Sequence, residues 1–386
     1  MDEPLVQIAN VRGAAGGLGR RDFLKATALA TAAGSLAACH NPENILPLLV
    51  PDPRQEAGRP QFFASVCREC PAGCGLVVRV NDGRPTKCEG NPDHPVNRGK
   101  LCLRGQTAVQ GLYNPDRFKA PRLRGPHGEW REVSWEVALA RLDEELAQVR
   151  AEGAGGRIQW LGRLETGTLD QTIRAWLAHQ GAPAPMYYEY FSYDALREAM
   201  AISYGHAVVP SYHINDARYL LSFGAEFLET WVSNVEYAGD FAATHSYGHT
   251  KAPARFVAVG PRLSLTAANA DEWWAARPGT ENQIAWLLVA LVAQRRGRAP
   301  RLPAAYRLPA LTLAQVAAAS GVAANVLTLA AERLAAADLS LVVGPGYQTD
   351  NRQAVDCQVA VNALNDLLGN TGRTVDPTRP HALSAV

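Results

Sequence analysis

Charge is scarce in this 386-residue chain: 38 Lys and Arg stand against 37 Asp and Glu, 19% charged in all, for a formal net charge of +1. No block of like charge occurs. That balance gives no basis for a nucleic-acid partner or an acidic substrate, and it lacks the signature of a charged disordered tail. Cysteine is also sparse, with seven residues, too few for a disulfide scaffold of this size. Long apolar runs are missing: Ala26 to Ala38 is too short to span a bilayer, and Ile284 to Ala293, bounded by Gln283 and Gln294, reads as a buried helix. There is no internal repeat, and no low-complexity tract beyond an alanine bias from Leu311 to Ala337. What remains is globular: 47% hydrophobic residues over a length that suits several domains.

Four of the seven cysteines fall in one pattern. Cys67-Arg-Glu-Cys70-Pro-Ala-Gly-Cys74 is followed, after 27 intervening residues, by Cys102. Three thiolates on one tight turn and a fourth from a distant loop suit the corners of a 4Fe-4S cluster. Structural zinc usually takes two separated C-x2-C pairs, and disulfides leave the tight triplet unexplained; both stand behind the cluster as readings. Between the third and fourth cysteines, Leu76 to Val80 and Pro85 to Glu89 flank Asn81-Asp-Gly-Arg84, which predicts a β-hairpin returning the chain beside the triplet. Asn91-Pro-Asp-His-Pro95 then makes a stiff loop toward Cys102. Cys88 is expected in an apolar core position, and His94 in the loop rather than on iron. Arg104 either lies on an electron path toward a neighbouring cofactor or pairs with a surface carboxylate.

Upstream, Gly19-Arg-Arg-Asp-Phe-Leu-Lys25 precedes the mildly apolar run, so residues 1–39 read as a twin-arginine export signal. That route carries folded proteins, which suits insertion of a cluster before export. Leu36-Ala-Ala-Cys39 looks like a lipobox and predicts lipidation at Cys39, with the protein anchored at the periplasmic face of the cytoplasmic membrane. An idle cysteine behind an unprocessed signal is the alternative. The glycines from Gly13 to Gly19 mimic a phosphate loop but follow no strand, and they are discounted. Residues 40–60, rich in Pro, Asn, Asp and Gly, read as a linker, and 61–119 as the cluster domain.

From Ala120 the pattern is α/β. Ser134 caps a helix carrying Ala138, Leu142, Leu146 and Val149 on one stripe. Short apolar strands are predicted at Ile158 to Leu161, Tyr219 to Phe223, Phe256 to Val259 and Leu339 to Val343, followed by Gly162, Gly224, Gly260 and Gly344. Strands that finish in a glycine turn and alternate with helices imply a doubly wound parallel sheet with its ligand crevice at the carboxyl ends. Residues 120–270 and 271–386 are read as two such domains, and the helical stretch from Leu311 to Ala337 as broken at Ser320-Gly321.

The cysteine spacing, Ser134-Trp135 opening a helix, Ala270-Asp-Glu-Trp273 and Arg277-Pro-Gly-Thr-Glu281 together resemble the molybdopterin oxidoreductase superfamily. Arg20 to Lys25, Cys39 to Pro47, Ala217 to Trp231, Gly260 to Thr266 and Leu364 to Gly372 look most like the molybdopterin-enzyme-like half of one subunit of alternative complex III, a membrane quinol-oxidising assembly. The resemblance implies a small N-terminal iron-sulfur domain followed by doubly wound α/β domains, here incomplete or split from a longer product. It implies as partners an iron-sulfur protein, a cytochrome c and an integral quinol-binding subunit. In catalytic relatives it implies a bis-molybdopterin guanine dinucleotide site, whose positions here are Gly224, Glu226, Gly260 and Glu281.

Departures from the family pattern shape the functional expectation. Catalytic members place Cys, selenocysteine, Ser or Asp on the metal in the region corresponding to residues 185–205, where this chain has no cysteine and only Ser192, Asp194 and Ser203 stand as candidates. Where relatives carry an Asp after the strand this chain has Gly260, and where they carry Asp after Pro-Gly-Thr it has Glu281. The pterin site is therefore expected to be vestigial and the guanine dinucleotide absent. Many subunits of this type also lack the cluster cysteines, whereas all four are present here. The expected role is an iron-sulfur electron-transfer and structural subunit, with no catalysis by this chain alone. A catalytic molybdenum or tungsten oxidoreductase acting on a sulfur or nitrogen oxyanion is the alternative.

Overall fold

A computed structural model describes residues 58–246 and 253–385; the export signal and Cys39 lie outside the described residues. Its first element is a three-stranded antiparallel sheet of β1 (Gln61–Val66), β2 (Gly75–Asn81) and β3 (Arg84–Gly90). Asp82 and Gly83 join β2 to β3 with φ of 49° and 77°. A two-residue turn with positive φ at both positions matches the twist of the strands it links, so the predicted hairpin forms where these two residues permit it. The chain then turns through α1 (Leu103–Thr107).

Residues 117–190 carry short strand pairs and two helices. The pair β4 (Arg122–Arg124) and β5 (Trp130–Glu132) is antiparallel, and α2 (Trp135–Ala151) follows, its first turn capped by Ser134 Oγ accepting from the Val137 N–H at 3.4 Å. The capping residue behaves as its type dictates. The apolar stripe does not: α2 buries none of its residues. Next come β6 (Leu161–Gly162), α3 (Gly167–His179) and β7 (Met186–Tyr187), with β6 and β7 a parallel pair. The strand expected at Ile158 to Leu161 is thus displaced to Leu161–Gly162, and Trp160 contributes only its carbonyl, accepting from the Met186 N–H at 2.9 Å.

After α4 (Asp194–Tyr204) and the short β8 (Ser211–Tyr212), the main sheet begins. Its strands are β9 (Tyr219–Phe223), β10 (Arg255–Val259), β11 (Glu272–Trp274) and β12 (Ser340–Val343), all parallel in the order β11-β10-β9-β12. Helices α5 (Asn234–His245), α6 (Leu265–Ala268), α7 (Glu281–Arg296), α8 (Leu313–Ser320), α9 (Ala324–Ala336) and α10 (Ala354–Leu368) connect or flank them, and β13 (Val375–Asp376) pairs with β8. Gly321, with φ of 79°, ends α8 where the break was expected. No single described helix is long and apolar enough to cross a membrane.

Alternation along the strands builds two cores. Leu221, Phe223, Val257, Val259 and Val342 point into one layer with α7, α9 and α10, while Leu220, Phe256, Ala258, Leu341 and Val343 point into the other with Phe227, Trp231 and Tyr237. Each such fully buried side chain contributes about 1.5–3 kcal/mol, and truncating Leu221 to alanine would cost about 2–5 kcal/mol. The doubly wound parallel sheet is as expected. Its division at residue 270 is not: β9 and β10 precede that point, β11 and β12 follow it, and one sheet joins them. Crossover helices return the chain to the same sheet, so the sheet and both cores run across residue 270.

Candidate metal centre

The triplet loop between β1 and β2 is closed by the Cys67 N–H donating to the Cys74 carbonyl at 2.7 Å, with Gly73 at φ of 63° making the turn. Cys102 arrives from the far side, immediately before α1. Three glycine-dependent or polar contacts fix that loop. Buried Asn97 accepts from the Gly75 N–H at 2.8 Å and donates to the Gly75 carbonyl at 2.9 Å and the Lys100 carbonyl at 2.6 Å. A Cβ on Gly90 would meet the Gly99 carbonyl group and the Lys100 carbonyl oxygen at 2.5 Å, and one on Gly75 would meet the His94 ring at 2.5 Å. Only glycine allows these approaches.

The result gathers the four cysteines. Cys67 and Cys74 are buried, Cys70 and Cys102 partly so, and Leu76, Cys88 and Val235 complete their apolar surroundings. Burial holds the Cys67 thiol above its ordinary value and pushes Cys74 up to about 12, with Cys70, Cys67 and Cys102 adding to the shift at Cys74. Burial thus favours the protonated thiol at Cys67 and Cys74, and a bound metal would have to displace those protons. The four cysteines fall in one packed cluster, as the ligand set of an iron-sulfur cluster would. Cys88 is 4% exposed and burial raises its thiol, as a core residue's should be; His94 lies on the loop against Gly75.

Two seams tie this cradle to the α/β part. On one side Arg98, in the loop before Cys102, pairs with Asp240 of α5, and the Lys100 stem crosses α5 at Gly239. Burial holds the Asp240 carboxyl above its ordinary value while Arg98 pulls it back down. On the other side Arg68 pairs with Glu165, and Arg163 donates to the Arg68 carbonyl. Beneath Cys70 sits Tyr193, which accepts from the Val232 N–H at 2.8 Å; burial pushes its phenol up to about 12, with Cys70 and Glu226 as further influences. A 40 Å³ cavity joins Cys70, Arg104, Arg163, Glu189 and Tyr193, placing Arg104 beside the exposed edge of the cradle. The sequence singled out none of Asn97, Asp240, Arg163 or Tyr193, because each acts through contacts far away in the chain.

The second site lies at the carboxyl edge of the main sheet, where the order reverses between β9 and β12. Gly224 and Gly260 line one cavity there, of about 10 Å³. The segment after β12 fills the reversal point. Thr349 Oγ1 donates to the Phe223 carbonyl at 3.0 Å and accepts from the Gly346 N–H at 3.1 Å, and a Cβ on Gly346 would collide with the Gly224 carbonyl oxygen and Glu226 Oε2. Above it Arg262 bonds the Tyr347 hydroxyl and reaches Glu229 at 3.4 Å. Glu281 is separate: buried at the start of α7 near Cys357, its carboxyl raised by burial. At this edge Glu226 is buried, the cavity is small, and Arg262 is engaged by Tyr347 and Glu229.

The three candidate metal ligands are also engaged. Ser192 Oγ accepts from the Asp194 N–H at 3.1 Å, Asp194 pairs with Arg197 at 2.5 Å, and Ser203 Oγ accepts from Asn362 at 3.0 Å. Ser192 and Asp194 border a 410 Å³ recess with Tyr188 and Phe191; Ser203 is not among its lining residues.

Comparison with known proteins accords with this architecture. Residues 60–114 match the molybdopterin oxidoreductase Fe4S4 domain, and residues 117–376 match the molybdopterin oxidoreductase domain. The chain is similar to the menaquinone reductase molybdopterin-binding-like subunit of Nitratidesulfovibrio vulgaris, 33% identical over 324 residues, which cover 83% of this chain and 46% of that protein. It is 28% identical over 291 residues to the molybdopterin-containing subunit of the arsenate respiratory reductase of a Shewanella species, covering 72% of this chain and 33% of that one. Acetylene hydratase from Pelobacter acetylenicus shares the fold with a TM-score of 0.59 at 19% identity, covering 80% of this chain and 43% of that one. The chain spans less than half the length of each of these relatives.

Proposed function

The chain belongs to the molybdopterin oxidoreductase family, and within it we propose an iron-sulfur electron-transfer and structural subunit of a membrane-associated, quinol-oxidising respiratory complex. One contrast carries the reading. Four thiols are gathered between two ion-pair seams, and at the sheet edge, where we read the pterin position as vestigial, the Thr349 hydroxyl bonds the Phe223 carbonyl. Cys67, Cys70, Cys74 and Cys102 would hold a 4Fe-4S cluster, which supplies one-electron storage when bound. Asn97 and the Arg98–Asp240 pair fix the fourth ligand's loop, Arg104 presents a cation at the open edge, and Leu103, 79% exposed beside Cys102, offers an apolar contact to a redox partner. No pterin is required in this role.

The name of the Nitratidesulfovibrio vulgaris relative, a molybdopterin-binding-like subunit of a menaquinone reductase, supports a place beside membrane quinone chemistry. The twin-arginine pattern and Cys39 support export and lipid anchoring, with an iron-sulfur protein, a cytochrome c and an integral quinol-binding subunit as partners. The test is anaerobic addition of a menaquinol analogue to the purified complex. A reduced-cluster EPR signal that disappears with Cys70→Ala, together with slower electron delivery, is expected. Equal delivery by both forms would reduce the chain to a structural role.

A second reading, a catalytic molybdenum or tungsten oxidoreductase, is favoured by the recess at Ser192 and Asp194 and by the arsenate respiratory reductase subunit among the relatives. Metal and pterin analysis separates it from the first.

A further inference from the structure

Helix α5 meets the cysteine cradle with one apolar and two acidic residues. Val235 packs among the thiols, Glu236 follows it in the chain, and Asp240 lies one turn beyond Glu236 on the same face. Across from them runs the loop before Cys102. Arg98 and Gly99 of that loop are consecutive left-handed residues, with φ of 44° and 82°. An arginine takes that conformation only where its contacts hold it there. Here the Arg98 guanidinium pairs with Asp240, and its backbone N–H donates to the His94 carbonyl at 3.0 Å.

The ionisable groups around the two acids come from three elements. The loop supplies Arg98 and the Lys100 stem over Gly239, the turn around Ile214 supplies His213 and Asp216, and α5 itself adds the buried Tyr237 phenol. Burial raises both carboxyls. The Asp240 charge adds to the shift at Glu236 and the Asp216 charge to that at Asp240, while Arg98 and His213 act in the opposite direction. Two carboxylates thus draw on one close guanidinium. Asp240 is buried, whereas the Arg98 side chain is half exposed and leaves the outer edge of the seam open to water. In such a setting one more negative charge nearby favours the binding of a proton.

We propose that the Asp240–Glu236 pair is the proton acceptor coupled to reduction at the cysteine cradle, so that this chain takes up one proton together with one electron. The inference rests on the iron-sulfur cluster read at Cys67, Cys70, Cys74 and Cys102. An external one-electron reductant supplies the electron, which adds one negative charge to the cradle. Solvent supplies the proton, which forms an O–H bond on a carboxylate oxygen of the pair. No covalent bond of the protein breaks, and Arg98 keeps a hydrogen bond to the neutral acid in place of the ion pair. The proton cancels the added charge beside the loop that carries the fourth ligand.

The test is an EPR-monitored redox titration of the purified, iron-loaded protein at a series of pH values across the range in which a raised carboxyl titrates. A reduced-minus-oxidised infrared spectrum accompanies each. Protons favour the reduced state, so the midpoint potential is expected to fall as pH rises, by up to about 59 mV for each tenfold drop in proton activity. Reduction should also bring up the C=O stretch of a protonated carboxyl. The double variant Asp240→Asn with Glu236→Gln should keep its iron and show neither effect. Glu236→Gln alone, which loads independently of the buried Asp240, should move the sloping region to lower pH, because a neighbouring negative charge is gone. Asp216→Asn should keep both effects. A full cluster signal whose potential does not change with pH overturns this inference alone, as does a slope that survives the double variant or vanishes in His213→Gln. Absence of any cluster signal would overturn the reading on which the inference rests, and the inference with it.

Discussion

Arg98 reaches from the loop before Cys102 to Asp240 on α5, 142 residues away in sequence, and joins the cysteine cradle to the sheet domain. Asp240 is 6% exposed, so its carboxylate depends on that guanidinium. Arg98→Met should destabilise the protein by about 1–3 kcal/mol at neutral pH, the cost of a buried charge left without its partner. Burial already raises the Asp240 pKa, and loss of Arg98 raises it further. The penalty belongs to the ionised form, so it should shrink as pH falls and Asp240 takes up a proton. Urea denaturation at pH 8 and pH 5 checks this; a difference independent of pH would count against it.

Gly90 controls the position of the fourth cysteine. Gly90→Ala drives a Cβ to 2.5 Å from backbone atoms of Gly99 and Lys100, which cannot yield without moving the Cys102 loop. Purified Gly90→Ala should lose most of its iron while the helical circular dichroism signal persists. Gly111→Ala, which meets nothing within 4 Å, should keep its iron.

Much of this cradle was legible in the sequence, and the reasons are local. The cysteine spacing and Asp82-Gly83 each encode their geometry within a few residues, as do the apolar runs of β9, β10 and β12 with their terminal glycines. The long helix α10 was not legible, because it is buried on nearly every side and carries Gln358, Asn362 and Asn365 into the core. Asn362 donates to the Ala199 carbonyl at 3.3 Å, and Asn365 donates to the Val342 carbonyl at 2.8 Å, so these two asparagines find partners far away in sequence, while Gln358 donates to Asn362 on its own helix at 2.8 Å. β11 begins on a glutamate and is three residues long, too short for a period to show. The α2 stripe was read correctly as apolar, but whether this chain covers it is a tertiary fact.

The Thr349 hydroxyl holds the segment after β12 against the end of β9. Thr349→Val keeps the shape and leaves the Phe223 carbonyl and the Gly346 N–H without their partner. A loss of about 1–3 kcal/mol is expected, with Thr349→Ser restoring most of it. Chemical denaturation measures both; equal stability of the valine and serine variants would show that the hydroxyl does not hold the edge.

His381 supplies a pH dependence of its own. Its Nδ1 accepts from the Leu383 N–H at 3.2 Å, and burial lowers its pKa to about 4. The unfolded chain takes up this proton near the ordinary value of about 6.5, before the folded protein does. The contribution is therefore complete above about pH 6.5 and is lost as pH falls toward 4, at most about 3 kcal/mol. His381→Gln should flatten the stability profile in that window, and an unchanged slope would assign the loss to other groups.

Everything proposed for this chain turns on whether Cys67, Cys70, Cys74 and Cys102 hold iron and sulfide beside a pterin position that we read as vestigial. Elemental and pterin analysis of the purified, anaerobically handled protein decides it. We expect about four irons per chain, matching sulfide, and no molybdenum, tungsten or pterin, with the iron lost in Cys70→Ala. Stoichiometric molybdenum or tungsten with bound pterin, or zinc in place of iron, would refute it.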